Sequence, residues 1–213
     1  EDPTITAPAA VTVTADAGVC TASSVTLGSA TTADNCSVAS TTNDAPATFP
    51  LGTTTVTWTV TDGSGNTATA TQNVTVTDEE DPTITAPGAV TVTADAGVCT
   101  ASGVTLGSAT TSDNCSVAST TNDAPATFPL GTTTVTWTVT DGSGNTATAT
   151  QDVTVTDDED PTITAPGAVT VTADAGVCTA SSVALGSATT DDNCSVASTT
   201  NDAPATFPLG TTT

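Results

Sequence analysis

The sequence predicts an all-β protein built of tandem sandwiches, about seven strands to a repeat. Three observations carry this: a 79-residue internal repeat, apolar residues at alternate positions, and turn residues every 8–12 positions or so.

The repeat organises the chain. Asp2-Pro3-Thr4-Ile5-Thr6 recurs from Asp81 and again from Asp160, and Cys20, Cys99 and Cys178 keep the same 79-residue step. The first two copies differ at five positions: Ala9/Gly88, Ser24/Gly103, Ala33/Ser112, Asn73/Asp152 and Glu79/Asp158. Repeats are placed at 2–80, 81–159 and 160–213. The third, 54 residues long, has no counterpart of Val56-Thr57-Trp58-Thr59-Val60 or of the residues C-terminal to it. Glu1 matches the linker residues Glu80 and Glu159, so the expectation is a window on a longer array.

Within the first repeat, short strands are expected at 4–7, 11–14, 22–28, 37–42 and 47–50. Two longer ones come after them. Thr55-Val56-Thr57-Trp58-Thr59-Val60-Thr61 turns its apolar set inward and its threonines outward. Ala68, Ala70, Val74 and Val76 share one parity across 67–77, with Gln72 the polar exception. Asp62-Gly63-Ser64-Gly65-Asn66 between them suits positive φ and closes a hairpin. The expected core is Ile5, Val11, Val13, Val25, Leu27, Val38, Phe49, Leu51, Val56, Trp58, Val60, Val74 and Val76. No 3.6-residue apolar period suggests a helix. The strand number and spacing point to immunoglobulin-like sandwiches.

Charge narrows the function. The chain has 23 acids and no Lys, Arg or His, a formal charge of −23. Such a chain cannot neutralise phosphates, so nucleic acid is excluded, as is an anionic membrane surface; no apolar run is long enough for a spanning helix. The usual catalytic bases, amines and oxyanion donors are missing, Tyr included, so no enzyme is expected. Carboxylates, hydroxyls and amides remain, the ligand set of a hard cation.

The runs Asp34-Asn35-Cys36-Ser37-Val38, then Asn43-Asp44-Ala45-Pro46-Ala47-Thr48-Phe49-Pro50-Leu51-Gly52-Thr53-Thr54-Thr55-Val56, then Thr61-Asp62-Gly63-Ser64-Gly65-Asn66-Thr67-Ala68 resemble the HYR (hyalin repeat) domain across nearly the whole chain. The resemblance implies an immunoglobulin-like fold in secreted or cell-surface proteins built as tandem arrays, often in adhesion or matrices. Where the family commonly has cysteines in its first and last strands, this chain has Ala7 and Ala70, and Ala86 and Ala149, so that staple has no counterpart here.

Two cysteines remain per repeat: Cys20 and Cys36, Cys99 and Cys115, Cys178 and Cys194. An even count in an acidic β protein suggests disulfides and an oxidising compartment. Pairing within each repeat is expected, provided 29–35 folds back along the strand after Cys20. Otherwise the cysteines pair between repeats or chains, because bonded Cα atoms lie only about 4.4–6.8 Å apart.

The acids cluster at the repeat boundaries, as Asp78-Glu79-Glu80-Asp81 and Asp157-Asp158-Glu159-Asp160. With sandwiches stacked end to end, the loop Asp113-Asn114 and the turn from Asp141 to Asn145 face the first linker, and Asp192-Asn193 faces the second. These residues are the candidate ligands of a structural calcium ion; the plainer reading is a solvated acidic linker. No complete EF-hand loop is present.

Threonine fills 22 positions of the first repeat. Outward Thr-x-Thr rows serve first as a solvated strand face, second as O-glycan carriers, third as an ice-ordering surface. Asn35-Cys36-Ser37 and Asn73-Val74-Thr75 are formal N-glycan sequons, so glycans join the possible partners.

Together these features point to a structural segment of an extracellular filament, stalk or adhesin shaft, with a repeat length of about 36 Å and calcium-stiffened joints. Its partners are neighbouring repeats or identical chains in a fibre. The alternatives are an avidity-based array binding glycan, ice or protein, and a subunit completed by a neighbour's strand. A carboxylate-pair glycosidase is the remote third.

Overall fold

A computed structural model describes all 213 residues, with twenty strands and no helix. The chain divides into two compact units. One comprises residues 1–88, 107–124 and 135–151; the other comprises 89–106, 125–134 and 152–213.

In the first unit, the first repeat supplies β1 (Thr4–Thr6), β2 (Val11–Thr14), β3 (Thr21–Ser23), β4 (Thr31–Ala33), β5 (Val38–Asn43), β6 (Thr48–Pro50), β7 (Gly52–Asp62) and β8 (Thr67–Thr77). A four-stranded sheet has the order β2-β8-β7-β5, and the ribbons β1-β4 and β3-β6 complete the fold. The β7–β8 hairpin runs in register from Gly52↔Val76 to Thr61↔Thr67 and turns through Asp62 N–H to Asn66 O at 3.0 Å. β2 lies parallel to β8, Val11 opposite Val74. This parallel pairing fixes direction: β2 and β8 both end at the linker, while the hairpin turn and the start of β5 lie at the other end.

β7 and β8 alternate as their sequence dictates. Val56, Trp58, Val60, Val74 and Val76 are buried, with Phe49 and Ala22 closing over them. Gln72, fully buried on the same face, is the polar exception with a purpose. Its Oε1 accepts the Trp58 indole N–H at 3.0 Å, and its Nε2 donates to Ala9 O at 2.7 Å and Leu27 O at 2.9 Å. One amide thus ties two irregular segments to the central hairpin. Gln72→Leu keeps the volume but strands the buried indole N–H, so it should cost about 2–3 kcal/mol in denaturant unfolding, with Ala9 O recovering water.

Three expectations need correction. The strand expected at 22–28 ends at Ser23, because Ser24 takes φ 54° and Gly28 φ 86°. Glycine suits position 28 because its φ of 86° is one that L side chains adopt only with strain. The segment freed by this break reaches β4, which pairs with β1 and was not expected from the pattern. Val38 and Leu51, placed in the core, are exposed. Val38 sits on the edge strand at a register shift, and Leu51 precedes the positive-φ Gly52.

The second repeat carries the same elements: β9 (Thr83–Thr85), β10 (Val90–Thr93), β11 (Thr100–Ser102), β12 (Thr110–Ser112), β13 (Val117–Asn122), β14 (Thr127–Pro129), β15 (Gly131–Asp141) and β16 (Thr146–Thr156), with sheet order β10-β16-β15-β13. In the second unit, the third repeat contributes β17 (Thr162–Thr164), β18 (Thr179–Ser181), β19 (Thr189–Asp191) and β20 (Thr206–Pro208), paired as β17-β19 and β18-β20.

Candidate functional site

The first unit gathers three segments around the end of β8. The strand leads directly into Asp78, which is 6% exposed. Asp113 and Asn114 arrive from the loop between β12 and β13, and Asp141 from the end of β15.

Each segment is held by its own hydrogen bonds. Asp113 Oδ2 accepts the N–H groups of Cys115 and Ser116 at 2.9 and 2.8 Å. Asp141 Oδ1 accepts those of Ser143, Gly144 and Asn145 at 2.6–2.9 Å, and Oδ2 accepts the Asn145 amide. Asn145 Nδ2 also donates to the carbonyls of Asp78 and Glu80, at 3.2 and 3.3 Å. Asn114 Nδ2 donates to Asp78 Oδ1 at 3.2 Å and Val19 O at 3.3 Å. Glu80 Oε2 accepts Gly18 N–H at 2.8 Å.

The oxygens these bonds leave over define the site. Asp78 Oδ2, Asp113 Oδ1 and Asn114 Oδ1 are buried with no hydrogen-bond partner. Asp78, Asp113 and Asp141 each offer a carboxylate oxygen within 4.8 Å of the other two. Like charges so close repel, and this sequence holds no Lys, Arg or His to balance them. Orphaned buried oxygens are costly unless something coordinates them. The donor set, hard oxygens alone, suits a divalent cation such as Ca²⁺.

Of the other candidate ligands, Glu79 and Asp81 are exposed, and Glu80 is engaged with Gly18. In the second unit, Asn193 Nδ2 donates to Val98 O, Asp192 Oδ2 accepts Cys194 and Ser195 N–H, and Glu159 Oε2 accepts Gly97 N–H. Asn193 Oδ1 is again buried and orphaned, but Asp157, Asp158, Glu159 and Asp160 are exposed and no carboxylate triad forms there. Asp141 has no counterpart among the residues of the third repeat.

The disulfides correct the expected pairing. Cys20 bonds Cys115 and Cys99 bonds Cys194, each across 95 residues with Cα atoms 4.7 Å apart. Pairing within a repeat fails because Cys20 follows β2 at the linker end. Cys36 lies beside the hairpin turn, where Gly63 N–H meets Ser37 O, roughly one β8 length away. Cys36 and Cys178 carry free, exposed thiols.

The Asp62 turn of the first repeat shows the electrostatics of the same turn motif. The Asn66 side-chain amide, above all, and the N–H groups of Asn66, Ser64 and Gly65 hold its carboxyl below the usual 3.8, against the upward push of burial. For Asp141 burial pushes up, and the bonds from Asn145, Gly144 and Ser143 outweigh it. A carboxylate whose folded value is lowered stabilises the fold above 3.8 and loses that contribution as pH falls through its folded value. Asp62→Asn should therefore flatten the stability curve below pH 3.8, read by circular dichroism between pH 5 and 2.

The fold and these joints define a tandem β-sandwich repeat protein. Residues 1–76 and 77–155 match the HYR domain, and the chain belongs to that family. No curated protein sequence matches it. Among solved structures, it is similar to cadherin domains 1–4 of protocadherin gamma B7 (13% identity, TM-score 0.37, covering 81% of this chain and 55% of that one). It is also similar to Drosophila N-cadherin EC1–4 (10%, 0.40, 73% and 50%) and to human mucin-like protocadherin EC1–2 (14%, 0.39, 73% and 98%).

Proposed function

We propose that the chain is a load-bearing segment of an extracellular array, in which a disulfide and a calcium ion lock successive HYR repeats together. The observation that carries the calcium reading is the set of orphaned, buried oxygens of Asp78, Asp113 and Asn114 beside Asp141, in a chain with no cation of its own. Those four residues would hold the ion, whose chemistry here is charge neutralisation and cross-linking of three segments. Glu79 and Asp81 would keep the surface acidic and the chains apart. The extracellular setting rests on the family and on disulfides, which persist in oxidising compartments.

The test is calorimetric titration of the chelator-treated chain with CaCl2. Saturable calcium binding that Asp78→Asn removes, and that Glu79→Gln leaves intact, supports the reading. Binding indifferent to Asp78→Asn overturns it.

A further inference from the structure

We infer that the Cys20–Cys115 disulfide and the cation site at Asp78, Asp113 and Asp141 regulate each other: the bond raises the affinity for calcium, and bound calcium protects the bond from reduction. This coupling rests on the calcium reading of the site and adds a redox control to it.

The two share one short loop. Asp113 and Asn114 line the site, and Cys115 follows directly. Asp113 Oδ2 accepts the Cys115 and Ser116 N–H groups at 2.9 and 2.8 Å, so the carboxylate and the bonded cysteine are held in a single turn. The other cysteine is fixed to the linker from its own side. Ala15 N–H donates to Thr77 O and Asp16 N–H to Thr21 O, both at 2.8 Å, and Glu80 Oε2 accepts Gly18 N–H at 2.8 Å. The turn before Cys20 is thereby tied to the end of β8, next to Asp78. Asn114 closes the circuit, its Nδ2 donating both to Val19 O, at 3.3 Å, and to Asp78 Oδ1, at 3.2 Å.

The disulfide therefore clamps Asp113 and Asn114 against Asp78, and what it clamps resists. Asp78 is 6% exposed, its Oδ2 is buried with no hydrogen-bond partner, and carboxylate oxygens of Asp113 and Asp141 lie within 4.8 Å. Without a cation these charges push the 113–116 loop away from the linker; with one, the same oxygens draw it in. Bond and ion favour the same arrangement, which sets the sign: each tightens the other. Linkage makes the effect reciprocal, so the factor by which reduction weakens calcium binding is the factor by which saturating calcium opposes reduction. Asp141 is tied to the linker separately, through Asn145 to the carbonyls of Asp78 and Glu80. Reduction thus loosens the site without dispersing it, and the factor falls at about tenfold, toward the low end of ordinary coupling between sites.

Reduction by a dithiol such as dithiothreitol is two exchanges. One reagent thiolate attacks the sulfur of Cys20 or Cys115, forming a mixed disulfide and freeing the other cysteine. The second reagent thiolate then attacks the reagent's own sulfur in that mixed disulfide and frees the remaining cysteine. One protein disulfide is reduced, one dithiol is oxidised to its cyclic disulfide, and the dithiol's two protons pass to the cysteines.

The full-length chain is equilibrated with mixtures of reduced and oxidised dithiothreitol, in saturating CaCl2 or in chelator, and each bond is scored by alkylation and mass spectrometry. Calcium should lower the equilibrium constant for reducing Cys20–Cys115 by roughly tenfold, about 30 mV for a two-electron couple. Cys99–Cys194, with no carboxylate triad beside it, is the reference within the same molecule and should not move. Asp78→Asn should abolish the difference. In the converse measurement, the chain carrying both Cys20→Ser and Cys115→Ser should bind calcium about tenfold more weakly than the native chain. Equal reduction of Cys20–Cys115 in the two buffers, or an equal calcium effect on Cys99–Cys194, overturns the coupling. The two readings fail separately. Calcium binding through Asp78 with an affinity indifferent to the bond sinks the coupling alone, whereas the absence of saturable binding sinks the calcium reading itself.

Discussion

Chelation should lower the melting temperature of the native chain and leave Asp78→Asn nearly unmoved. A ligand bound only by the folded state adds about 2.7 kcal/mol at a hundred times its dissociation constant. For a chain of this size that corresponds to roughly 5–10 °C. The two curves should also cross. In calcium the variant melts below the native chain, because it has lost a ligand. In chelator it melts at or above it, because one of three mutually repelling carboxylates beside Asp113 and Asp141 is gone. Scanning calorimetry of both chains in both buffers decides the matter. A purely solvated acidic linker predicts no crossing, and its observed absence would remove the cation from the joint.

The second large effect belongs to Cys20–Cys115. The bond closes a 95-residue loop, and in the chain-entropy model a loop of that size is worth about 4–5 kcal/mol. Replacing both cysteines by serine should therefore lower the denaturant midpoint markedly. Cys36→Ser, at an exposed free thiol, should not move it. Equal effects would mean that the loop constraint contributes nothing to the fold.

Much of this architecture can be read from the chain because its rules are local. The 79-residue step, the alternation around Trp58 and the Asp62–Asn66 turn each follow from a few neighbouring residues. The breaks are less visible. Ser24 ends β3 through a φ of 54° that nothing in its side chain announces, and Val38 is exposed because β5 is an edge strand, which is a fact of sheet order. The acids show the same division. Their clustering near the linker is plain in the sequence, but which of them become buried is not. That depends on Asn114 and Asn145 reaching across to Asp78. The cysteine pairing had a signal of its own. Stacking that brings Asp113-Asn114 to the first linker brings Cys115 with it, to the end where β2 delivers Cys20.

The two disulfides have a mechanical consequence. Cys99 precedes Cys115, so the covalent loops 20–115 and 99–194 overlap. A pulling force therefore has a short bonded route from one terminus to the other: residues 1–20, across to 115, back to 99, across to 194, and on to 213. Even with every strand torn from its neighbours, that route spans only roughly 200 Å, against roughly 750 Å for the same chain unlinked. Stretched in a force spectrometer, the oxidised molecule should stop short at about a quarter of its contour, behaving as a tether with a built-in limit of travel.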